Sequence, residues 1–231
     1  MKKVLIANRG EIAIRIARTC NDLGLKTVGI YSEDDVNSLH LSKVDEAYKI
    51  DEKGAQAYLD IKEIIRIAKE SKADAIHPGY GFLSENSLFA SAAKRAKIKF
   101  IGPNERTLKI FGDKTSAKEL ASSLNIPVIA GTHEKTSIRK AQSFMKSLKK
   151  NSSVVIKAIS GGGGRGMRVV SKIDDLKESF DRAASEAKAS FDSPDLYLEE
   201  YLKNYRHIEF QIIGDGTGGV SHLHERECSI Q

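Results

Sequence analysis

The residues most suited to chemistry lie together at Ser160-Gly161-Gly162-Gly163-Gly164-Arg165-Gly166-Met167. Four consecutive glycines lose backbone entropy on ordering and offer no side-chain packing in return. Such a run is useful where backbone N–H groups must approach a ligand closely, and successive N–H groups form a nest for an anion such as a phosphate chain. It is not a Walker loop, because no Gly-Lys-Ser/Thr follows and the next element reads as a strand. The dinucleotide fingerprint is excluded on the same ground. A flexible hairpin tip is the alternative reading. Just upstream, Lys157 sits in Val154-Val155-Ile156-Lys157-Ala158-Ile159, apolar on both strand faces. An ammonium in that setting calls for a compensating anion, and a phosphate held by the loop would be within reach. A lysine that snorkels from an edge strand is the plain alternative.

Two further groups could carry chemistry. In His207-Ile208-Glu209-Phe210-Gln211-Ile212 the polar residues share one strand face and the apolar residues the other. One face belongs to a core; the other is a site or, more commonly, a solvated surface. His222, His224, Glu225, Glu227 and Cys228 are a dense set of metal-ligand types. No second Cys or His stands at zinc-finger spacing and no His-Glu-x-x-His is present, so a metal site is not expected there. His207-Ile208-Glu209 also mimics half of a deaminase motif, but no Pro-Cys-x-x-Cys follows.

The elements that must position these groups fall into two patterns. Lys3–Ala7, Thr27–Tyr31, Ala75–His77 and Phe100–Ile101 read as short buried strands. Between them Glu11–Leu23, Tyr58–Lys72 and Ser87–Ala96 read as helices, the first stopped by Gly24. That alternation predicts an α/β fold with an open, Rossmann-like parallel sheet covered on both faces, with a domain boundary near Gly102-Pro103. Beyond it Lys114–Leu124 and Ile173–Ala189 are helical. Val154–Ala158, Met167–Val170, Leu196–Leu202, His207–Ile213 and Val220–His224 are strands, the last two joined by the hairpin signal Gly214–Gly219. This half is predicted to be α+β and largely antiparallel. No internal repeat or long linker interrupts it.

Composition narrows the function classes. The 231 residues are 29% charged and 40% hydrophobic, which is neither a disordered nor a fibrous chain. No apolar run reaches the length of a membrane span, and Val4–Ala7 is too short for a signal-peptide core. Cys20 and Cys228 are expected to be free thiols in a reducing, cytoplasmic setting, or the mitochondrial matrix in a eukaryote. Net charge +6 suits an anionic partner. Small phosphate compounds fit better than nucleic acid, since the charges are interspersed and Trp is absent. The chain stops at Gln231 just after a predicted strand, so a truncated chain is expected.

These pieces, in this order, resemble the biotin carboxylase family of the ATP-grasp superfamily. The resemblance begins at Ile6-Ala7-Asn8-Arg9-Gly10-Glu11-Ile12-Ala13 and continues through the ten residues His77–Asn86, then Phe100–Pro103 and Gly112–Lys114. It ends with Lys157, the glycine loop, Arg206–Glu209 and Glu225–Gln231. It implies an N-terminal domain over 1–103 and the first part of an ATP-grasp domain over 104–231, with a lid at about 130–202. It implies that ATP and bicarbonate form carboxyphosphate, whose CO2 is added to N1′ of biotin on a carrier protein. By resemblance, Lys114 and Lys157 meet the ATP phosphates and Gly163 and Gly164 lie over them. Glu200 and Leu202 meet adenine through their backbone, flanking Tyr201. Glu199, His207 and Gln231 lie near the nucleotide, the last two towards the ribose. Tyr80 and Gly81 lie near biotin. Mg2+ (or Mn2+), a carboxyltransferase component and a possible homodimer are implied too, with an acyl-CoA or pyruvate as final acceptor. Family members are longer, and their acidic Mg2+ ligands, bicarbonate-binding groups and catalytic arginine have no counterpart in this chain, so no metal ligand or catalytic residue is assigned within it and the chain alone is expected to be inactive. Another ATP-grasp ligase, such as a carbamoyl-phosphate synthetase, or a non-catalytic nucleotide-binding module are the alternatives.

Overall fold

The computed structural model describes residues 1–132, 134–159 and 167–230. It divides into two compact units, Met1–Leu124 and Asn125–Gln231. In the first, strands β1 (Lys3–Ile6), β2 (Lys26–Tyr31), β3 (Glu46–Lys49), β4 (Ala75–His77) and β5 (Lys99–Phe100) form one sheet in the order β3-β2-β1-β4-β5. Every pairing is parallel. Helices α1 (Gly10–Asp22), α2 (Ile61–Glu70) and α3 (Ser87–Arg95) supply the crossovers, and α4 (Glu105–Gly112) and α5 (Lys114–Ser123) follow.

The alternation of β1 sorts the core. Val4 and Ile6 pack with Ala13, Ile16, Ala17 and Cys20 of α1. Leu5 and Ala7 turn to the other face and join Ile64, Ile67, Phe89 and Ala93 of α2 and α3. Each full apolar strand is thus buried on both sides, as a doubly covered parallel sheet requires. Side-chain caps set the helix starts: Asp60 accepts from the Glu63 N–H at 3.0 Å and Asn86 from the Phe89 N–H at 3.0 Å. The Asp60 cap explains why the predicted Tyr58–Lys72 helix is really a 3-10 turn, Gly54–Leu59, followed by α2. β3 escaped prediction because its burial alternates along a polar edge strand, Glu46-Ala47-Tyr48-Lys49, with no apolar run.

Two carboxylates pin the loops of this unit. Burial pushes the Asp35 carboxyl up, but donors from Tyr58, Arg9, Ser38 and Ser32 reverse that and hold it at about 2. The Lys26 ammonium, then the Thr27 hydroxyl and N–H, hold Asp45 at about 2 as well. A carboxylate depressed on folding stabilises above its unfolded value and loses that contribution as pH falls through the folded one. The first unit should therefore weaken between about pH 4 and pH 2. Urea midpoints measured across that window should fall steeply, and Asp35→Asn should flatten part of the slope; an unchanged slope would contradict the assignment.

The second unit has a three-stranded antiparallel sheet, β7-β6-β8, built from β6 (Ser153–Ala158), β7 (Arg168–Val170) and β8 (Leu196–Tyr201). Helices α6 (Ile138–Ser147) and α7 (Leu176–Phe191) cover one face. Val154, Ile156, Ala158, Leu196 and Leu198 meet Ala141, Ala183 and Ala187 there. The predicted Ile173–Ala189 helix starts as a 3-10 turn and runs on to Phe191, ending at Asp192 in the left-handed region. β9 (Ile208–Gly214) and β10 (Val220–Glu227) form the expected antiparallel hairpin as a separate two-stranded sheet. β9 begins one residue after His207, and β10 extends past His224 through a bulge between His222 and Glu225. Phe210, Ile212, Ile213, Val220 and Leu223 on this hairpin are all exposed. Among the described residues, no helix is long and apolar enough to cross a membrane.

Candidate functional site

In the second unit the chemistry sits on the sheet face away from α6 and α7. Register places Lys157 of β6 opposite Tyr197 and Val155 opposite Glu199 of β8, so all four project to one side. Lys157 reaches diagonally to Glu199, Nζ to Oε2 at 2.5 Å. The two ends differ: the Glu199 residue is only 5% exposed, whereas the Lys157 side chain keeps 28% of its surface. The anion that the sequence demanded for Lys157 is thus first of all a carboxylate of the protein. A carboxylate buried this deeply calls for a cation beside it, and Lys157 supplies one from a partly exposed side chain.

The edge of β8 is closed by a preceding segment. Gly131 bridges to Glu199, the Glu200 N–H donates to the Ala130 carbonyl at 2.8 Å and the Thr132 N–H to the Leu198 carbonyl at 2.9 Å. The Glu200 amide is therefore already engaged, and its side chain accepts from the Ser152 hydroxyl at 2.8 Å. Tyr201 ends the strand and Leu202 follows it, both exposed. His207 is exposed; its N–H donates to Ser229 Oγ at 2.9 Å and its carbonyl accepts from the Cys228 N–H at 2.7 Å. Gly163 and Gly164, with the rest of Ser160–Gly166, and Gln231 lie outside the described residues.

Lys114 opens α5 behind the Asp113 cap and is exposed. Its setting is that of an ordinary helix-start lysine, so nothing local could have marked it. Among the described residues no three His, Cys, Asp or Glu side chains come together as metal ligands. In the His222/His224 group, the bulge puts His224 in the left-handed region, and the His222 and His224 rings meet edge to face at 5.3 Å.

The first unit has its own crevice. It lies beyond the carboxyl ends of β1 and β4, neighbours at the point where strand order reverses, the usual ligand position in open α/β sheets. Residues 8–12 and 80–82 line a cleft of about 450 Å3 there, with Asp35 and Ser38 at its side. Tyr80 is exposed and its hydroxyl contacts the Glu11 carboxylate. Gly81 lies beside it in the left-handed region. Asn8 and Arg9, quoted in the opening motif but given no role by sequence reasoning, prove central to this crevice. The Asn8 amide donates to the Pro78 and Tyr80 carbonyls, each at 2.8 Å. Arg9 pairs with Asp35 at 2.9 Å and lies over the Tyr58 and Phe82 rings. Burial pulls His77 below the ordinary imidazole range, and its Nδ1 accepts the Gly79 N–H at 3.1 Å.

Comparison with known proteins matches almost the whole chain, with a division between residues 108 and 113 rather than at Leu124. Residues 1–108 match the family described as biotin carboxylase, N-terminal domain, and residues 113–231 the family described as carbamoyl-phosphate synthase L chain, ATP binding domain. Mitochondrial pyruvate carboxylase of Homo sapiens is 48% identical over 234 residues, which cover 100% of this chain and 20% of that protein. Pyruvate carboxylase of Bacillus subtilis is 50% identical over the same span and share. The biotin carboxylase domain dimer of Hydrogenobacter thermophilus 2-oxoglutarate carboxylase, solved with MgADP, ADP and bicarbonate, superimposes with a TM-score of 0.88 at 42% identity. That match covers 100% of this chain and 51% of the other. A biotin carboxylase–β-γ-ATP complex from Campylobacter jejuni gives a TM-score of 0.89 at 42% identity, covering 98% of this chain and 51% of that one. The chain thus spans about a fifth of the curated relatives and about half of the solved domains.

Proposed function

The chain belongs to the biotin carboxylase family, within the ATP-grasp superfamily, and we propose on that footing that it serves the ATP- and bicarbonate-dependent carboxylation of biotin on a carrier protein. In this reading residues 1–103 are the N-terminal domain and 104–231 the first part of the ATP-grasp domain, with the lid at about 130–202. Lys114 and Lys157 neutralise the ATP phosphates, and Gly163 and Gly164 supply loop N–H groups. Glu200 and Leu202, flanking Tyr201, meet the adenine through their backbone, and Glu199 lies near the nucleotide, while His207 and Gln231 approach the ribose. Tyr80 and Gly81 face biotin.

The Lys157–Glu199 pair is the observation that carries this reading. A carboxylate buried to 5% exposure holds the ammonium of a side chain that is itself partly exposed, on the sheet face opposite α6 and α7. A polyphosphate arriving there meets an oriented cation, and electrostatic stabilisation of a transferring phosphoryl group depends on such fixed charge. The Glu200 N–H is spent on Ala130, so adenine recognition at Glu200 falls to its carbonyl. Phosphoryl transfer in this family uses divalent metal, and the described residues do not assemble a site for it. No step through metal is assigned to this chain.

Carrier and carboxyltransferase components are the partners this reading implies, with a homodimer as a further one; the Hydrogenobacter relative is itself a biotin carboxylase dimer. The decisive assay is ADP formation by the full-length protein with Mg-ATP, bicarbonate and free biotin, each omitted in turn. Turnover that needs all three is the expected result. The match of residues 113–231 to a carbamoyl-phosphate synthase domain favours one second reading, another ATP-grasp ligase; ATP consumption indifferent to biotin would establish it instead. The 231-residue chain assayed alone should form no ADP above background, and biotin-dependent turnover by it would overturn the expectation that it is inactive.

A further inference from the structure

Three of the four residues from Gly79 to Phe82 have left-handed backbone: Gly79 at φ +66°, Gly81 at +66° and Phe82 at +38°. A non-glycine residue in this region is strained and persists only where its surroundings hold it. Here two consecutive residues at the end of β1 do the holding. The Asn8 residue is 3% exposed. Its amide nitrogen donates to the carbonyls of Pro78 and Tyr80, and its oxygen accepts the Arg9 N–H at 2.9 Å. Both amide protons are thereby used on the loop. Gly79 lies against this side chain so closely that a Cβ would stand 2.7 Å from Asn8 Nδ2. At the loop's far end the Phe82 ring stacks on Tyr58, with centroids 5.0 Å apart, beneath the Arg9 guanidinium. The Tyr80 side chain stands between these two anchors, unburied, at the mouth of the crevice.

We propose that Asn8 is the positioning residue of this loop, and that its two hydrogen bonds fix the backbone from which Tyr80 and Gly81 meet their ligand. The proposal rests on the reading above for the identity of that ligand, biotin; the holding of the loop is a separate matter and is tested separately. Asn8→Asp keeps size and shape but replaces a double donor by a carboxylate facing two carbonyl oxygens. In the 231-residue chain, hydrogen exchange at the Gly79 and Ser84 amides, which donate to His77 Nδ1 and to the Gly81 carbonyl, should quicken about tenfold relative to wild type, while amides of β1 and β2 keep their rates. Lowering the pH until the introduced carboxyl is protonated restores one donor, so the ratio of variant to wild-type exchange in the loop should fall back towards one. Unchanged loop exchange, or acceleration spread evenly over the sheet, would overturn the proposal. Should Asn8→Asp fail to fold, Asn8→Ser gives the same comparison with one donor on a shorter arm.

In the full-length protein Asn8→Asp should raise KM for free biotin about tenfold and leave KM for ATP unchanged. A rise in both, or in neither, counts against positioning of this site. Tyr80→Ala, run beside it, separates the two claims. If Tyr80→Ala leaves KM for biotin unchanged, the ligand reading fails while the exchange result still decides what Asn8 does.

Discussion

Replacing Lys157 by methionine should destabilise the second unit by about 2–4 kcal/mol, at or below the usual range for breaking a buried pair. The value is set by what remains behind. Glu199 keeps its carboxylate at 5% exposure and loses the ammonium 2.5 Å away. Because the Lys157 side chain is 28% exposed, water screens part of the interaction, and the upper end of the range applies only if the carboxylate stays ionised. Adding Glu199→Gln to Lys157→Met removes the buried negative charge and should return most of the lost stability. Activity should not return with it. If Lys157 meets the ATP phosphates as proposed, both variants should carboxylate biotin about 100-fold more slowly than wild type in the full-length protein, since that cation is gone in each. Thermal unfolding and ADP formation, measured on the same preparations, check both halves. A double variant that recovers stability and turnover together would make Lys157 a structural lysine and remove the observation on which the nucleotide reading stands.

Gly79→Ala should be the most damaging small substitution in the first unit, at about 3 kcal/mol or more. Two independent penalties fall on one methyl group. The backbone at φ +66° disfavours any Cβ, and this Cβ would also stand 2.7 Å from Asn8 Nδ2 and 3.1 Å from its Cγ. Asn8 cannot retreat, because its amide is committed to two carbonyls and its oxygen to the Arg9 N–H. Gly81 provides the control: it has the same φ of +66° but nothing within 4 Å of an added Cβ. Gly81→Ala should therefore show the backbone penalty alone, about 1–2 kcal/mol. Denaturant midpoints of the two variants side by side test this; equal losses would mean that the Asn8 contact contributes nothing.

The fold of the first unit is legible because its strands are continuous apolar runs and its helices carry their own stops. Val4-Leu5-Ile6-Ala7 is buried throughout, and only a doubly covered strand needs that pattern. β3 hides because an edge strand can be polar. α6 also went unread, although Ile138, Ala141 and Phe144 recur at helical spacing among basic residues. In the second unit the need for an anion beside Lys157 is visible in its apolar neighbours, but the identity of that anion is not. Glu199 is 42 residues away, and only the antiparallel register of β6 with β8 brings the pair together. The Asn8 contacts are hidden for the same reason, since they span about 70 residues between neighbouring parallel strands. Short-range patterns reveal which backbone an element adopts; contacts fixed by register across a sheet have no short-range trace.

The β9–β10 hairpin makes protein concentration a variable of every experiment proposed for the 231-residue chain. Among the described residues this ribbon pairs with no third strand, and it also carries exposed Phe210, Ile212, Ile213, Val220 and Leu223. Strand edges template further strands, and apolar side chains in a row reward the pairing. Light scattering by the isolated chain should accordingly rise faster than linearly with concentration, and an added charge at Phe210 should suppress it. Spectroscopy in dilute solution would then report a folded monomer, while crystallisation or NMR samples of the same chain would report an assembly whose contacts belong to the ribbon rather than to the sites described above.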